Sequence, residues 1–156
     1  QSVWGNYGIP LKVEIQEWAT FVSTRQSGNY SIARNGWIAD YNDPISFLDL
    51  CVSSSGNNDA KLGNGEHAKA AVFSFDGQDG LTWAEAYDEC VAQIKAETDQ
   101  VRRFELMHKA EDMLMQTGAL VPIYCYAHNN LVSDKLEGFY TTPLGELFLQ
   151  KAVLKD

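Results

Sequence analysis

Tyr30-Ser-Ile-Ala-Arg-Asn-Gly-Trp-Ile-Ala-Asp-Tyr-Asn-Asp-Pro44 decides how this chain of 156 residues is read. Tyr30, Ile32 and Arg34 alternate with Ser31, Ala33 and Asn35, a period of two that predicts a strand ending at Gly36. Asp43-Pro44 predicts the start of a short helix over 45–50, because Asp caps helix N-termini and Pro suits the first helical position. Arg34, Trp37, Asp40 and Tyr41 then gather around one strand-to-helix turn. A guanidinium, a carboxylate and two large rings at such a turn suit a small-molecule site.

Working back from that turn, Thr24 to Gly28 closes a helix that starts near Glu17, with Trp18, Phe21 and Val22 at helical spacing. Arg25 lies near its end, where a cation complements the helix dipole. Leu11, Val13 and Ile15 alternate with polar residues and predict a strand, and Gln1 to Tyr7 reads as a last helical turn ended by Gly8. Strand, helix and strand make a βαβ unit with a right-handed crossover and a parallel pair. Ligands collect at the carboxyl ends of such strands, which is where Trp37 to Tyr41 fall.

Forward of the turn, residues 53–80 are rich in Ser, Asn, Asp and Gly, and form a long loop with a short helix or strand over 68–75. Thr82 and Glu85 form a capping box, followed by the stripe Trp83, Tyr87, Cys90, Val91 and Ile94. A second helix runs from about Asp99 to Gly118 through Val101, Phe104, Met107, Ala110 and Leu114. Arg102, Arg103, Glu111 and Asp112 fall mostly on its wet side, and the Met-containing stripe is core packing. Ala119 to Tyr126 is an apolar strand that Pro122 restricts to a start or an edge. Leu131-Val132 suggests a short return strand, and the apolar alternation of the tail from Glu146 to Leu154 has no evident partner nearby.

A formal charge of −9 and the absence of any basic cluster longer than Arg102-Arg103 argue against nucleic-acid binding. No apolar run reaches the length of a membrane span. Three cysteines, Cys51, Cys90 and Cys125, match no metal spacing, and leave either one disulfide with a free thiol or three thiols. His67 reads as a surface residue and His108 as a helix-boundary residue. A hydrolase would use Asp40 with one of these histidines as a base, but neither Gly-x-Ser-x-Gly nor His-Glu-x-x-His is present, so a non-enzyme without a cofactor is expected.

Gln16-Glu-Trp18, Thr24-Arg-Gln-Ser-Gly28, Ile32 to Pro44, Phe47-Leu48, the helix with Arg103, Leu106 and Lys109-Ala-Glu111, and Val121-Pro-Ile-Tyr-Cys-Tyr126 resemble, in order, one family. It is that of the extracytoplasmic solute receptors of bacterial ABC importers that bind oligopeptides and dipeptides. The resemblance implies an α/β fold, one lobe of a type II periplasmic-binding-protein-like architecture, with a central mixed sheet flanked by helices. It implies a C-terminal fragment of a longer receptor, with residues 1–120 as a ligand-binding lobe and 121–156 as a segment returning to another lobe. The expected ligand is a short peptide and the expected partner an ABC permease, in the periplasm or, as a lipoprotein, on a Gram-positive cell surface.

The same resemblance puts Asp40 on the ligand's α-ammonium group, Gly36 to Ile38 along its main chain, and Arg25 and Arg34 on its carboxylates. Trp37 becomes a pocket wall. Some relatives carry Cys where Ile38 stands, so a disulfide from that position is not expected. Asp43 is the better cap for the helix at Pro44, which leaves Asp40 available. A non-catalytic interaction module is the alternative reading, with homodimerisation through residues after Val121 wherever their apolar side chains lack a partner surface.

Overall fold

The computed structural model describes residues 1–63 and 80–156, so the expected element over 68–75 and His67 lie outside the described residues. Two compact units follow one another along the chain, residues 1–34 and 35–156.

In the first unit, α1 (Ser2–Gly5) is the expected short turn of helix, with Gly8 in the left-handed region at φ 76°. The segment after it is extended but bears no ladder. Val13 and Ile15, expected on a core face, are exposed. Helix α2 (Trp18–Ser27) has the expected bounds: the Glu17 carboxylate accepts the Ala19 and Thr20 amides, and Gly28 ends it at φ 72°. Only a residue without Cβ adopts that conformation cheaply. None of the α2 side chains is fully buried, and Arg25 lies over the rings of Phe21 and Trp18 at 5.1 and 5.9 Å.

The second unit is organised by α4 (Trp83–Ala96) against α5 (Gln100–Gln116), with α3 (Ile45–Leu48) and the 3-10 turn Asp49–Cys51 packed on them. The capping box of α4 is present in full, and all five residues of its expected stripe are buried. On α5 the buried face is Leu106, Met107, Ala110, Met113 and Leu114, whereas Val101 and Phe104 are exposed. Steps of three, four and seven residues connect Arg103 to that buried face and leave Val101 and Phe104 beside it. The placement of Arg103 on the wet side is therefore corrected: its side chain is 16% exposed and ion-paired.

Polar groups inside this core are satisfied. Trp83 and Tyr87 stack at 4.8 Å. The Trp83 indole N–H donates to the Met113 carbonyl, and the Tyr87 hydroxyl donates to the Leu48 carbonyl at 2.8 Å. Burial pushes the Tyr87 phenol far above its ordinary pKa. The loop is partly built into the same core: buried Asn58 brackets Leu62 through both side-chain atoms, and Ser53 is held by the Asp88 carboxylate. Cys51, Cys90 and Cys125 are all free thiols, the first two buried, and burial raises Cys51 to a pKa of about 11.

Two-stranded antiparallel ladders are the sheet structure seen among the described residues, and no central sheet forms there. Neither Tyr30–Asn35 nor Ala119–Tyr126 is a paired strand, and Val121, Ile123, Tyr124 and Tyr126 are exposed. The tail, expected to be without a partner, folds back instead. Strand β1 (Leu136–Glu137) pairs with β4 (Val153–Leu154), and β2 (Tyr140–Thr141) pairs with β3 (Leu147–Phe148) inside it. Tyr140 stacks on Phe148 at 4.9 Å. Gly138, at φ 75°, lets the turn pass so near β4 that a Cβ there would lie 2.0 Å from the Lys151 carbonyl oxygen.

Tyr87→Phe removes the donor to the Leu48 carbonyl while keeping the ring stack, and costs about 1–2 kcal/mol because that carbonyl stays buried without its partner. Urea unfolding of the two forms measures the difference; superimposable curves would show that water replaces the phenol.

Candidate functional site

Residues 35–46 form a turn-rich segment whose backbone has no ladder, so its shape depends on side chains. At its start the Asn35 side-chain oxygen accepts the Gly36 amide at 2.8 Å, and its amide group donates to the Asp59 carboxylate at 3.0 Å. In the middle, the Ser46 hydroxyl oxygen accepts two donors, the Trp37 indole N–H at 3.3 Å and the Asp40 backbone N–H at 3.1 Å. At its end one Asp43 oxygen accepts the Ile45 amide at 3.0 Å, and the other accepts Arg103 at 2.8 Å. Arg103 also donates through Nε to the Ile94 carbonyl at the end of α4.

The cap position of α3 falls on Pro44 and not, as expected, on Asp43, which instead accepts the Ile45 amide from one residue further out; the Arg103 guanidinium holds its carboxyl below the ordinary carboxylate range, helped by that amide. Asp40 does not share that duty: its backbone is fixed by Ser46 and the residue is exposed. Trp37 is half-buried, while Gly36 and Ile38 are exposed. The segment thereby presents a carboxylate, one ring edge and open backbone to solvent, the groups that an extended, positively charged ligand end can use.

Gly36, Trp37, Ile38 and Asp40 all lie on this one segment of the second unit. Arg25, on α2, and Arg34 close the first unit. Tyr126 was not anticipated, yet its ring edge would be 3.9 Å from a Cβ at Gly36, and it meets Tyr124 edge-on at 5.2 Å. Ser46 and Arg103 were also missed. The signal for Arg103 was its helical step to Leu106, Met107 and Ala110; Ser46, a small polar residue inside an apolar helical turn, offered only the oddity of its burial. His108, expected at the boundary of its helix, lies instead fully on the exposed surface of α5, 3.8 Å from Glu111. Two shallow hollows of about 300 and 190 Å³ lie between α4 and α5 and beside the 3-10 turn, and neither is lined by Trp37 or Asp40.

No family model matches the chain. It is similar to curated bacterial proteins over nearly all its length. The periplasmic oligopeptide-binding protein OppA of Salmonella typhimurium is 35% identical over 151 residues, 96% of this chain and 24% of that protein. Its namesake in Escherichia coli is 36% identical over 139 residues, 88% of this chain and 22% of the other. The oligopeptide-binding protein OppA of Bacillus subtilis is 30% identical over 157 residues, 99% of this chain and 25% of that one. The chain therefore spans about a quarter of the length of these relatives.

Replacing Arg103 with Met keeps the stem and deletes the charge, and lowers stability at neutral pH by roughly 1–2 kcal/mol for a pair that remains partly solvated. Because the folded-state pKa of Asp43 lies below its ordinary 3.8, the contribution is complete above 3.8 and is lost as pH falls through the lower folded value. Thermal melts from pH 7 to pH 2 should show a constant gap between the two proteins that closes at the acid end. A gap independent of pH would assign the effect to packing alone.

Proposed function

This chain is homologous, over nearly its whole length, to a segment of the bacterial oligopeptide- and dipeptide-binding proteins, and on that premise we propose that it carries the amino-terminal anchor of a peptide receptor. The observation that supports this most directly is the division of labour between two neighbouring carboxylates. Asp43 is occupied by Arg103 and the Ile45 amide, whereas Asp40 stands exposed beside Trp37 on a segment of open backbone. A peptide's α-ammonium group pairs with Asp40, and its main chain runs along Gly36 to Ile38, which selects for an extended backbone without selecting side chains. Arg25 and Arg34 supply cations for ligand carboxylates, and Trp37 walls the side-chain pockets.

In the longer receptor, residues 1–120 belong to the ligand-binding lobe, and residues 121–156 return to another lobe. That lobe encloses the peptide. The receptor is extracytoplasmic, as the names of its relatives are, and delivers short peptides to an ABC permease. Binding without catalysis is the activity, in keeping with the peptide-binding names of the relatives.

Asp40→Ala in the complete receptor weakens peptides with a free amino terminus by about ten- to a hundredfold, since a charge-assisted bond is worth roughly 1.5–3 kcal/mol, and leaves their N-acetylated forms nearly unchanged. Calorimetry with both peptide classes tests this, and equal losses for the two would remove Asp40 from the role.

A second reading, self-association of the isolated chain, is supported by the exposed run Val121, Ile123, Tyr124, Tyr126 and Leu131. Burying several such side chains at roughly 1.5–3 kcal/mol each favours a homodimer through residues after Val121, although the paired tail offers less free edge than its sequence suggested. Sedimentation velocity across a hundredfold range of concentration should show a dimer; a monomer throughout would exclude it.

A further inference from the structure

We propose that Ser46 is the positioning residue of the peptide anchor, coupling the Trp37 ring to the Asp40 backbone through one hydroxyl; the inference rests on the reading of Asp40 just given. Ser46 is 4% exposed, one of two buried polar residues among those described. Its oxygen has two lone pairs, and each meets a donor from the segment, Trp37 Nε1–H at 3.3 Å and Asp40 N–H at 3.1 Å. The Asp40 amide has no strand partner to fall back on, because residues 33–43 carry no ladder. Holding the Asp40 N–H fixes the N–Cα bond from which its side chain departs and so narrows the region the carboxylate can reach. The same oxygen holds the indole, so the ring and the base of the Asp40 side chain share one anchor.

Ser46 is itself rigidly placed. It sits in α3, where its amide donates to the Asp43 carbonyl at 3.1 Å and its neighbours Ile45 and Leu48 are buried. Asp43, which accepts the Ile45 amide, is tied through Arg103 to the end of α4. Ser46 is therefore the point at which the helical core meets the presented groups. A buried serine that only satisfied its own hydroxyl would have no reason to accept from two residues three apart on the functional segment.

Hydrogen exchange read by NMR on the full chain tests the geometry without any ligand. In Ser46→Ala, the Trp37 indole N–H and the Asp40 amide should exchange about tenfold faster or more. The Trp83 indole, bonded to Met113 in the core, is the internal control and should not change. Ser46→Thr, which restores the oxygen, should restore both slow signals. Equal acceleration at Trp83 would reduce Ser46 to a stability residue, and unchanged exchange at Trp37 and Asp40 would overturn the proposal outright. The functional arm uses trialanine and N-acetyl-trialanine on the complete receptor. Ser46→Ala should weaken trialanine about tenfold and the acetylated peptide little, the pattern of Asp40→Ala in milder form. If Asp40→Ala weakens both equally, or the unsubstituted receptor takes up neither, the anchor reading falls, while the exchange data still decide whether Ser46 aims the segment. If Asp40→Ala discriminates and Ser46→Ala does not, the anchor reading stands and Ser46 is no part of it.

Discussion

The apolar seam between α4 and α5 is the constraint on which the second unit depends. Ile94, Tyr87, Ala110 and Met113 are wholly enclosed there, and hydrophobic burial of this kind is the dominant favourable term in folding. What makes the seam more than a helix pair is its outgoing polar contacts. Tyr87 reaches Leu48, Arg103 reaches Asp43, and Asp88 reaches Ser53, so the core fixes both ends of the chain from 43 to 53, and with it the end of the ladder-free segment before α3. A segment with no backbone ladder can be held in one conformation only by such tethers. Their geometry is precise because the helices that carry them are rigid.

The local geometry divides holding from presenting. Asp43 and Asp40 are three residues apart, similar in chemistry and opposite in use. Asp43 is consumed by the Ile45 amide and a guanidinium, so a ligand would have to compete with both. Asp40 contributes its backbone to the fold and keeps its side chain outside. Such a separation leaves the Asp40 side chain outside the contacts that hold helix α3.

Much of this was legible in the residues, and the failures have physical causes. The capping box at Thr82, the stripe of α4 and the Glu17 start and Gly28 stop of α2 depend on neighbours within a few positions, and all are present. On α5 the reading followed hydrophobicity and overlooked angle, so Val101 and Phe104 were taken inward and Arg103 outward. Long arginine stems cover apolar surface while the charged end finds a partner, and a residue-type rule cannot see that. The expected strands failed for a different reason. Alternation in Leu11–Gln16 reports which face would be buried in a sheet, but a ladder needs an adjacent strand, and that is a non-local condition. The tail shows the converse: its pairing with Leu136–Thr141 depends on glycine-permitted turns whose return partner could not be read from alternation alone. At the site, Asp40 and Trp37 were chosen from their types and their family positions. Ser46 was not, because a hydroxyl becomes interesting only once two donors are seen to converge on it.

The fate of the three thiols has a practical side. Cys51 and Cys90 are enclosed in the core with their ionisation suppressed by burial, and a thiol that cannot ionise is a poor nucleophile. Cys125 is exposed, flanked by Tyr124 and by the Tyr126 ring that stands against Gly36. A maleimide dye would therefore attach at one place without any engineered cysteine. That place adjoins the segment proposed to run alongside a peptide, so the unaltered chain already carries an attachment point for an optical reporter of occupancy.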